Sequence, residues 1–168
     1  MTESGLRGDS VYLRAWDDYE HHILKLTAAK VAGMGHVAFR ATSPEALEHR
    51  AGIIEASGFG TGWTDGELGH GRSYAFNTTD GHKMEIYYET EWYKPPPDLK
   101  PALKNQAQPN VRRLDHLNLL VADVRPLRQF FEDVLGHADN GNDRPRQRRR
   151  SRRVGDDDQQ ELRPCVHR

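Results

Sequence analysis

The chain has 168 residues, with 24 Lys and Arg against 25 Asp and Glu and a formal net charge of −1, so bulk charge directs it to neither nucleic acid nor a membrane. One cysteine, Cys165, excludes an internal disulfide framework and fits a reducing compartment. No apolar run approaches the roughly 18 residues of a membrane span, and the first residues lack the basic-then-apolar layout of a secretory signal; the cytoplasm is the expected location.

In chain order, Met1–Asp9 is polar and reads as a frayed start. VYLRAW (Val11–Trp16) and HHILKL (His21–Leu26) read as two strands. Within the second, His21 and His22 would point to opposite faces and could not share a metal. GHVAFRA alternates, with Val37 and Phe39 on one face and His36, Ala38 and Arg40 on the other. A helix follows. Ser43 is a good N-cap, Pro44 suits the first helical position, Leu47, Ala51 and Ile54 form one stripe, and Gly58 is the stop. Three strand-like pieces come next, around Phe59–Trp63, Arg72–Phe76 and His82–Tyr88. Asp80-Gly81 is a hairpin signal between the last two. The closing strand puts Met84, Ile86 and Tyr88 on one face and Lys83, Glu85 and Tyr87 on the other, so His36 and Glu85 both belong to the more polar faces. The order from Gly33 to Glu89 is βαβββ. The segment Val11–Glu89 is expected to form one continuous, mostly antiparallel sheet with the helix on one face.

Pro95-Pro96-Pro97 opens a stiff linker that runs to Pro109. Leu114–Val121 reads as a new strand bearing His116. The following helix carries Leu127, Phe130, Phe131, Val134 and Leu135 on one stripe, with Asp123 as cap and Gly136 as stop. Strand with His, then helix, then Gly repeats the layout that began at Gly33. Beyond about His137 the pattern collapses. Seven of the ten residues from Arg144 to Arg153 are arginine, and Asp156-Asp157-Asp158 follow. Residues 139–168 are expected to be disordered and read as an out-of-frame tail, the alternative being a genuine basic tail. That tail lacks interleaved aromatics or a recognised nucleic-acid fold. His70 and His82 flank loops and read as turn or surface residues; Trp16, Trp63 and Trp92 read as core or interface packing.

The strings VYLRAWDDYEHHILKL, GMGHVAFRA, DGHKMEIYYE and RLDHLNLLV, in that order, resemble bacterial extradiol ring-cleavage dioxygenases of the catechol 2,3-dioxygenase type, within the vicinal-oxygen-chelate superfamily. The resemblance runs roughly from Gly8 to Gly136. It implies an α+β fold of βαβββ modules in a cupped, mostly antiparallel sheet, incomplete at both ends. It also implies a division into an N-terminal domain at 1–97, a Pro-rich linker at 98–110 and the start of a catalytic domain at 111–138. Within the N-terminal domain, 8–30 would be the remnant of a first module and 33–89 a complete second one.

The chemistry that the resemblance implies is oxygen insertion beside the diol of a catechol, dependent on Fe(II) and O2. Two His and one carboxylate would hold the metal and leave positions for the diol and dioxygen. His116 matches the first metal-ligating His of the catalytic domain. The second His, the Glu ligand and the acid–base His and Tyr belong to later strands, so the full-length parent would bind Fe(II) and this chain none stably. His36 and Glu85 match ligand positions of the other domain, whose site is a vestige; they read as polar lining. Relatives of this kind are commonly homotetramers. Two other readings are a drug-sequestering, non-catalytic member of the superfamily and a basic-tailed interaction module.

Overall fold

A computed structural model describes residues 1–15, 18–94 and 113–137, together with the backbone of Leu162 and Arg163. Trp16, the linker at 98–110 with Pro95–Pro97, and the rest of the tail from 139 lie outside the described residues. Among the described residues, eight strands and two helices follow one another as β1 (Thr2–Arg7), β2 (Ser10–Arg14), β3 (Leu24–Thr27), β4 (Val37–Ala41), α1 (Pro44–Ala56), β5 (Gly60–Thr64), β6 (Ser73–Asn77), β7 (Lys83–Tyr87), α2 (Val124–Asp133) and β8 (Leu162–Arg163). No helix among the described residues is long and apolar enough to cross a membrane.

The βαβββ order from Gly33 to Glu89 is present, and the class is α+β. The Ser43 side chain accepts from the Ala46 amide at 3.1 Å, so α1 starts at Pro44 as its cap demands. Strands β5, β6 and β7 form an antiparallel meander, and β7 pairs in parallel with β4, Phe39 opposite Ile86. A parallel partner needs a crossover, and here the crossover runs through α1 and the meander.

Four expectations are corrected. The segment Val11–Glu89 does not make one sheet. It makes a three-stranded sheet in the order β1-β2-β3 and a five-stranded sheet in the order β5-β6-β7-β4-β8. Period-two patterning assigns residues to faces but does not say which strands are neighbours, and here the two sheets meet through side chains, such as Lys25 with Glu67 and Glu20 with Tyr87, and not through a shared ladder. The frayed start is in fact β1, paired antiparallel to β2 with Arg7 opposite Ser10. Gly8, at φ 57°, makes the two-residue turn possible. Leu114–Val121 carries no ladder; alternation alone does not make a strand without a neighbour to bond, and among the described residues it has none. Finally, Leu162–Arg163 pairs with β4, Ala41 opposite Leu162, where no packed structure is expected.

The core lies on one face of the five-stranded sheet. Phe39 and Ala41 of β4, Tyr74 and Phe76 of β6, and Met84 and Ile86 of β7 meet Leu47, Ala51 and Ile54 of α1. Phe130 and Leu135 join the same cluster from α2 and its C-terminal turn. Phe130 meets Phe59 edge-on, with centroids 5.0 Å apart. The buried Arg50 of α1 donates to the Val134 carbonyl at 3.0 Å. At the other end, the Ala122 amide donates to the Asp80 carboxylate at 3.1 Å. The stretch from Ala122 to Leu135 is therefore fixed to the 33–89 module at both ends and through its middle. Phe130→Ala should cost about 3–5 kcal/mol, the usual range for an emptied aromatic core site. Urea unfolding should show one transition at a lower midpoint; an unchanged main transition with separate loss of α2 would show that the helix is not part of this core.

Candidate functional site

The opposite face of the five-stranded sheet is more polar. In β7, Glu85 and Tyr87 alternate with Met84 and Ile86, and all four are buried. Ser10, Tyr12 and Arg14 are the buried positions of β2 in the smaller sheet. The layer between the two sheets is thus built from side chains with hydrogen-bonding or ionisable groups, each of which needs a partner.

Glu20, 2% exposed, is one anchor. Its carboxylate accepts from the Tyr87 hydroxyl at 2.8 Å and from Arg40 Nη1 at 3.3 Å. Glu85 is the second. Its Oε2 accepts from Ser73 Oγ at 3.1 Å, and Ser73 Oγ is 2.8 Å from Thr64 Oγ1. Its Oε1 lies 3.5 Å from His36 Nε2. His36 immediately precedes β4, and its Nε2 is also 4.0 Å from Glu67 Oε1. That oxygen lies 2.5 Å from Lys25 Nζ. Lys25 is the cross-strand neighbour of Tyr12, which places it on the inner face of the small sheet. Burial raises the Glu85 carboxyl above its ordinary range, with His36 and the Ser73 hydrogen bond acting against that rise. Burial opposes the charge on Lys25, but Glu67 outweighs it and the ammonium is held above its usual value.

The histidines depart from their expected places. His21 Nδ1 and His22 Nδ1 are 3.0 Å apart, with rings nearly perpendicular. The pair precedes β3 in a bend, so strand alternation does not separate them. The His21 ring lies against Gly69, where an added Cβ would collide with it; Gly69 also has φ 76°, so glycine is required there twice over. His70 is not a surface turn residue. Its ring is sandwiched between His22 and Tyr87, with centroids 4.2 Å from each. Loop residues carry no period from which such burial could be read. His82 does sit at a turn, its Nδ1 3.1 Å from Thr78 Oγ1. Trp63 packs edge-on to Tyr74, and Trp92, 49% exposed, stacks on Tyr19 beneath Arg40.

The structure brings His36 and Glu85 together and leaves His116 apart. His116 is exposed, its Nδ1 3.0 Å from the Asp115 carboxylate, which that contact holds below the ordinary range. Among the described residues, no group of three or more His, Cys, Asp or Glu is arranged to hold a metal ion. His116 and Asp115 offer two donors on one exposed segment, short of the three that a facial iron site uses. The described residues therefore do not by themselves fit a catalytic iron. Lys25 and Glu67 were not legible as site residues: one sits on a short strand, the other in the loop between β5 and β6.

Over 142 residues the chain is 50% identical to the metapyrocatechase of Geobacillus stearothermophilus, an alignment that takes in 81% of this chain and 43% of that protein. The chain is a relative of the extradiol dioxygenases. It is also 35% identical, over 143 residues, to a manganese-dependent 2,3-dihydroxybiphenyl 1,2-dioxygenase of Geobacillus genomosp. 3, covering 81% of this chain and 45% of that one. An extradiol ring-cleaving dioxygenase from B. fuscum superposes with a TM-score of 0.69 at 27% identity, over 79% of this chain and 37% of the other. The 2,3-dioxygenase LapB from Pseudomonas sp. KL28 gives 0.68 at 26%, over 80% and 49%. No family model matches. This dioxygenase relative spans less than half the length of the curated relatives it matches.

The polar layer has a consequence for acid stability. Burial, with His21 beside it, lowers His22 to about 4, and burial, with His22 beside it, lowers His70 to about 3. The unfolded rings titrate near the ordinary value of about 6.5, so below that pH the unfolded chain binds more protons than the folded one. Stability should fall as pH drops from about 6.5 towards 4, with a slope approaching about 1.4 kcal/mol per pH unit for each ring. The raised Glu85 works in the opposite sense. Urea midpoints measured at pH 7 and pH 5 should converge in His70→Phe relative to the parent; an unchanged pH dependence would mean that His70 is not held neutral.

Proposed function

We propose that this chain belongs to a meta-cleaving catechol dioxygenase, which opens catechol or a substituted catechol beside its diol to a muconic semialdehyde with Fe(II) and O2. The observation that supports it most is the 50% identity to metapyrocatechase across 81% of the chain. The metal is read as Fe(II); the manganese named for the second relative makes Mn(II) the competing outcome. In this reading, 1–97 is the N-terminal domain, with 8–30 and 33–89 as its modules, 98–110 the linker, and 111–138 the opening of the catalytic domain. His116 is a ligand of the catalytic metal. The remaining ligands come from sequence that the relatives possess and this chain does not span. Chelation of the diol by such a metal would favour its deprotonation and set the ring beside dioxygen. The whole protein is read as a cytoplasmic homotetramer.

The test is a chimera in which residues 1–136 are continued by the corresponding C-terminal part of the Geobacillus stearothermophilus relative. With Fe(II) loaded anaerobically, then catechol and oxygen, it should give the yellow ring-opened product, and His116→Ala should abolish it. His36→Ala should leave turnover within about threefold, because that residue lies outside the reacting site. The 168-residue chain alone should give no turnover. A folded, iron-loaded chimera without product would overturn the reading, as would product that survives His116→Ala.

A further inference from the structure

The tripeptide Thr-Asp-Gly occurs twice in the chain, at Thr64-Asp65-Gly66 and at Thr79-Asp80-Gly81. An aspartate followed by glycine can rearrange, because the glycine amide nitrogen reaches the side-chain carboxyl carbon with no Cβ in its way. The two places share their local sequence, so the fold decides which of them reacts.

Asp80 is restrained at both reacting groups. Its Oδ1 accepts from the Ala122 amide at 3.1 Å, and its Oδ2 accepts from Thr79 Oγ1 at 3.1 Å. The Gly81 amide donates to the Thr78 carbonyl at 2.9 Å and closes the hairpin turn. Asp65, in the β5–β6 loop, is exposed, and its carboxylate has no hydrogen-bond or ion-pair partner among the described residues. The Gly66 amide makes one long bond, 3.3 Å to Thr64 Oγ1. Position 66 must nevertheless be glycine. Its φ is 82°, and an added Cβ would collide with the Gly71 carbonyl. The loop needs, for its own folding, the residue that makes Asp65 reactive.

We propose that Asp65 is a site of spontaneous covalent modification in the folded chain, converting through a succinimide to isoaspartate. The Gly66 nitrogen bonds to Asp65 Cγ, and the carboxyl OH leaves with the amide hydrogen as water. Water then adds back at one of the two ring carbonyls. Breaking the new N–Cγ bond restores aspartate. Breaking the original peptide bond leaves the chain running through the side chain, with one methylene more in its backbone and no change in overall composition. The added length falls just ahead of Glu67, which is paired with Lys25, and of His70, which is sandwiched between His22 and Tyr87. Modification at Asp65 therefore loosens the polar layer. The inference does not depend on the dioxygenase reading, since it concerns only this loop and its neighbours.

The test warms the 168-residue chain at neutral pH and follows isoaspartate by peptide mapping. Trypsin separates the two places: Ala51–Arg72 carries Asp65, and Ser73–Lys83 carries Asp80. An isoaspartyl peptide keeps its mass, shifts its retention and resists a protease that cuts before aspartate. In the folded chain isoaspartate should build up at Asp65 at least about tenfold faster than at Asp80, since each hydrogen bond that must first be released slows ring closure by a few-fold. In urea the two rates should become comparable. The warmed chain should contain a population that unfolds at lower urea, its share matching the isoaspartate at Asp65. Asp65→Glu, which would have to close a larger and slower-forming ring, should show neither. The inference is overturned if the folded chain modifies Asp65 no faster than Asp80, or if the ratio of the two rates is the same in urea. It is equally overturned if the modified chain unfolds at the midpoint of the fresh one.

Discussion

Strand β7 is buried on both faces, and the two faces ask for opposite things. Met84 and Ile86 need only apolar neighbours, which α1 and α2 provide. Glu85 and Tyr87 need partners, because an unsatisfied polar group taken out of water costs several kcal/mol. The partners come from both sides of the layer: Ser73 and His36 for Glu85, Glu20 for Tyr87. Glu20 in turn takes Arg40, and Lys25 takes Glu67. Each of these last pairs joins the segment that holds the small sheet to the larger one. Breaking such a pair by deleting one member leaves a stranded charge, which is a larger loss than the pair's own net worth. The two-sheet arrangement is thus held by matched polar groups on one side and by ordinary packing on the other.

The module from Gly33 to Glu89 was legible because each of its elements carries a local signal. Ser43-Pro44 begins the helix, Leu47, Ala51 and Ile54 face the core, and Asp80-Gly81 turns the hairpin. What the sequence did not disclose was what each face would meet. Glu85 reads as the polar side of a half-exposed strand, yet it is buried because a second sheet covers it. His21 and His22 read as opposed because they were counted into β3, which starts only at Leu24. Leu114–Val121 alternates correctly and carries no ladder, since pairing depends on a neighbour that alternation cannot specify. Of the candidate site, His36 and Glu85 were found from pattern and family likeness. Lys25 and Glu67 were not, because their meeting depends on the stacking of two sheets.

The apolar stripe of α2 illustrates the same limit from the other direction. Phe130 and Leu135 announce that the helix needs a core. They do not say whose. In the structure that core is supplied by α1 and β4–β7, across the intervening stretch 95–112. Asp80 holds the α2 stretch at Ala122 and Arg50 holds it at Val134, while His116 lies before it on an exposed segment.

The small sheet has an outer face as well. Its inner positions alternate with Val11, Leu13, Leu24 and Leu26, and Leu6 pairs across from Val11. Leu6 is 67% exposed, Leu26 50% and Leu24 36%. Water against such a surface is the same liability in a test tube as in a cell. Ammonium sulfate, which is excluded from protein surfaces and strengthens apolar association, will salt this chain out early, whereas a little urea will keep it dispersed by wetting those leucines before it loosens the core. The practical handling of the protein is thus written on the face of β1–β3 opposite the buried Ser10, Tyr12 and Arg14.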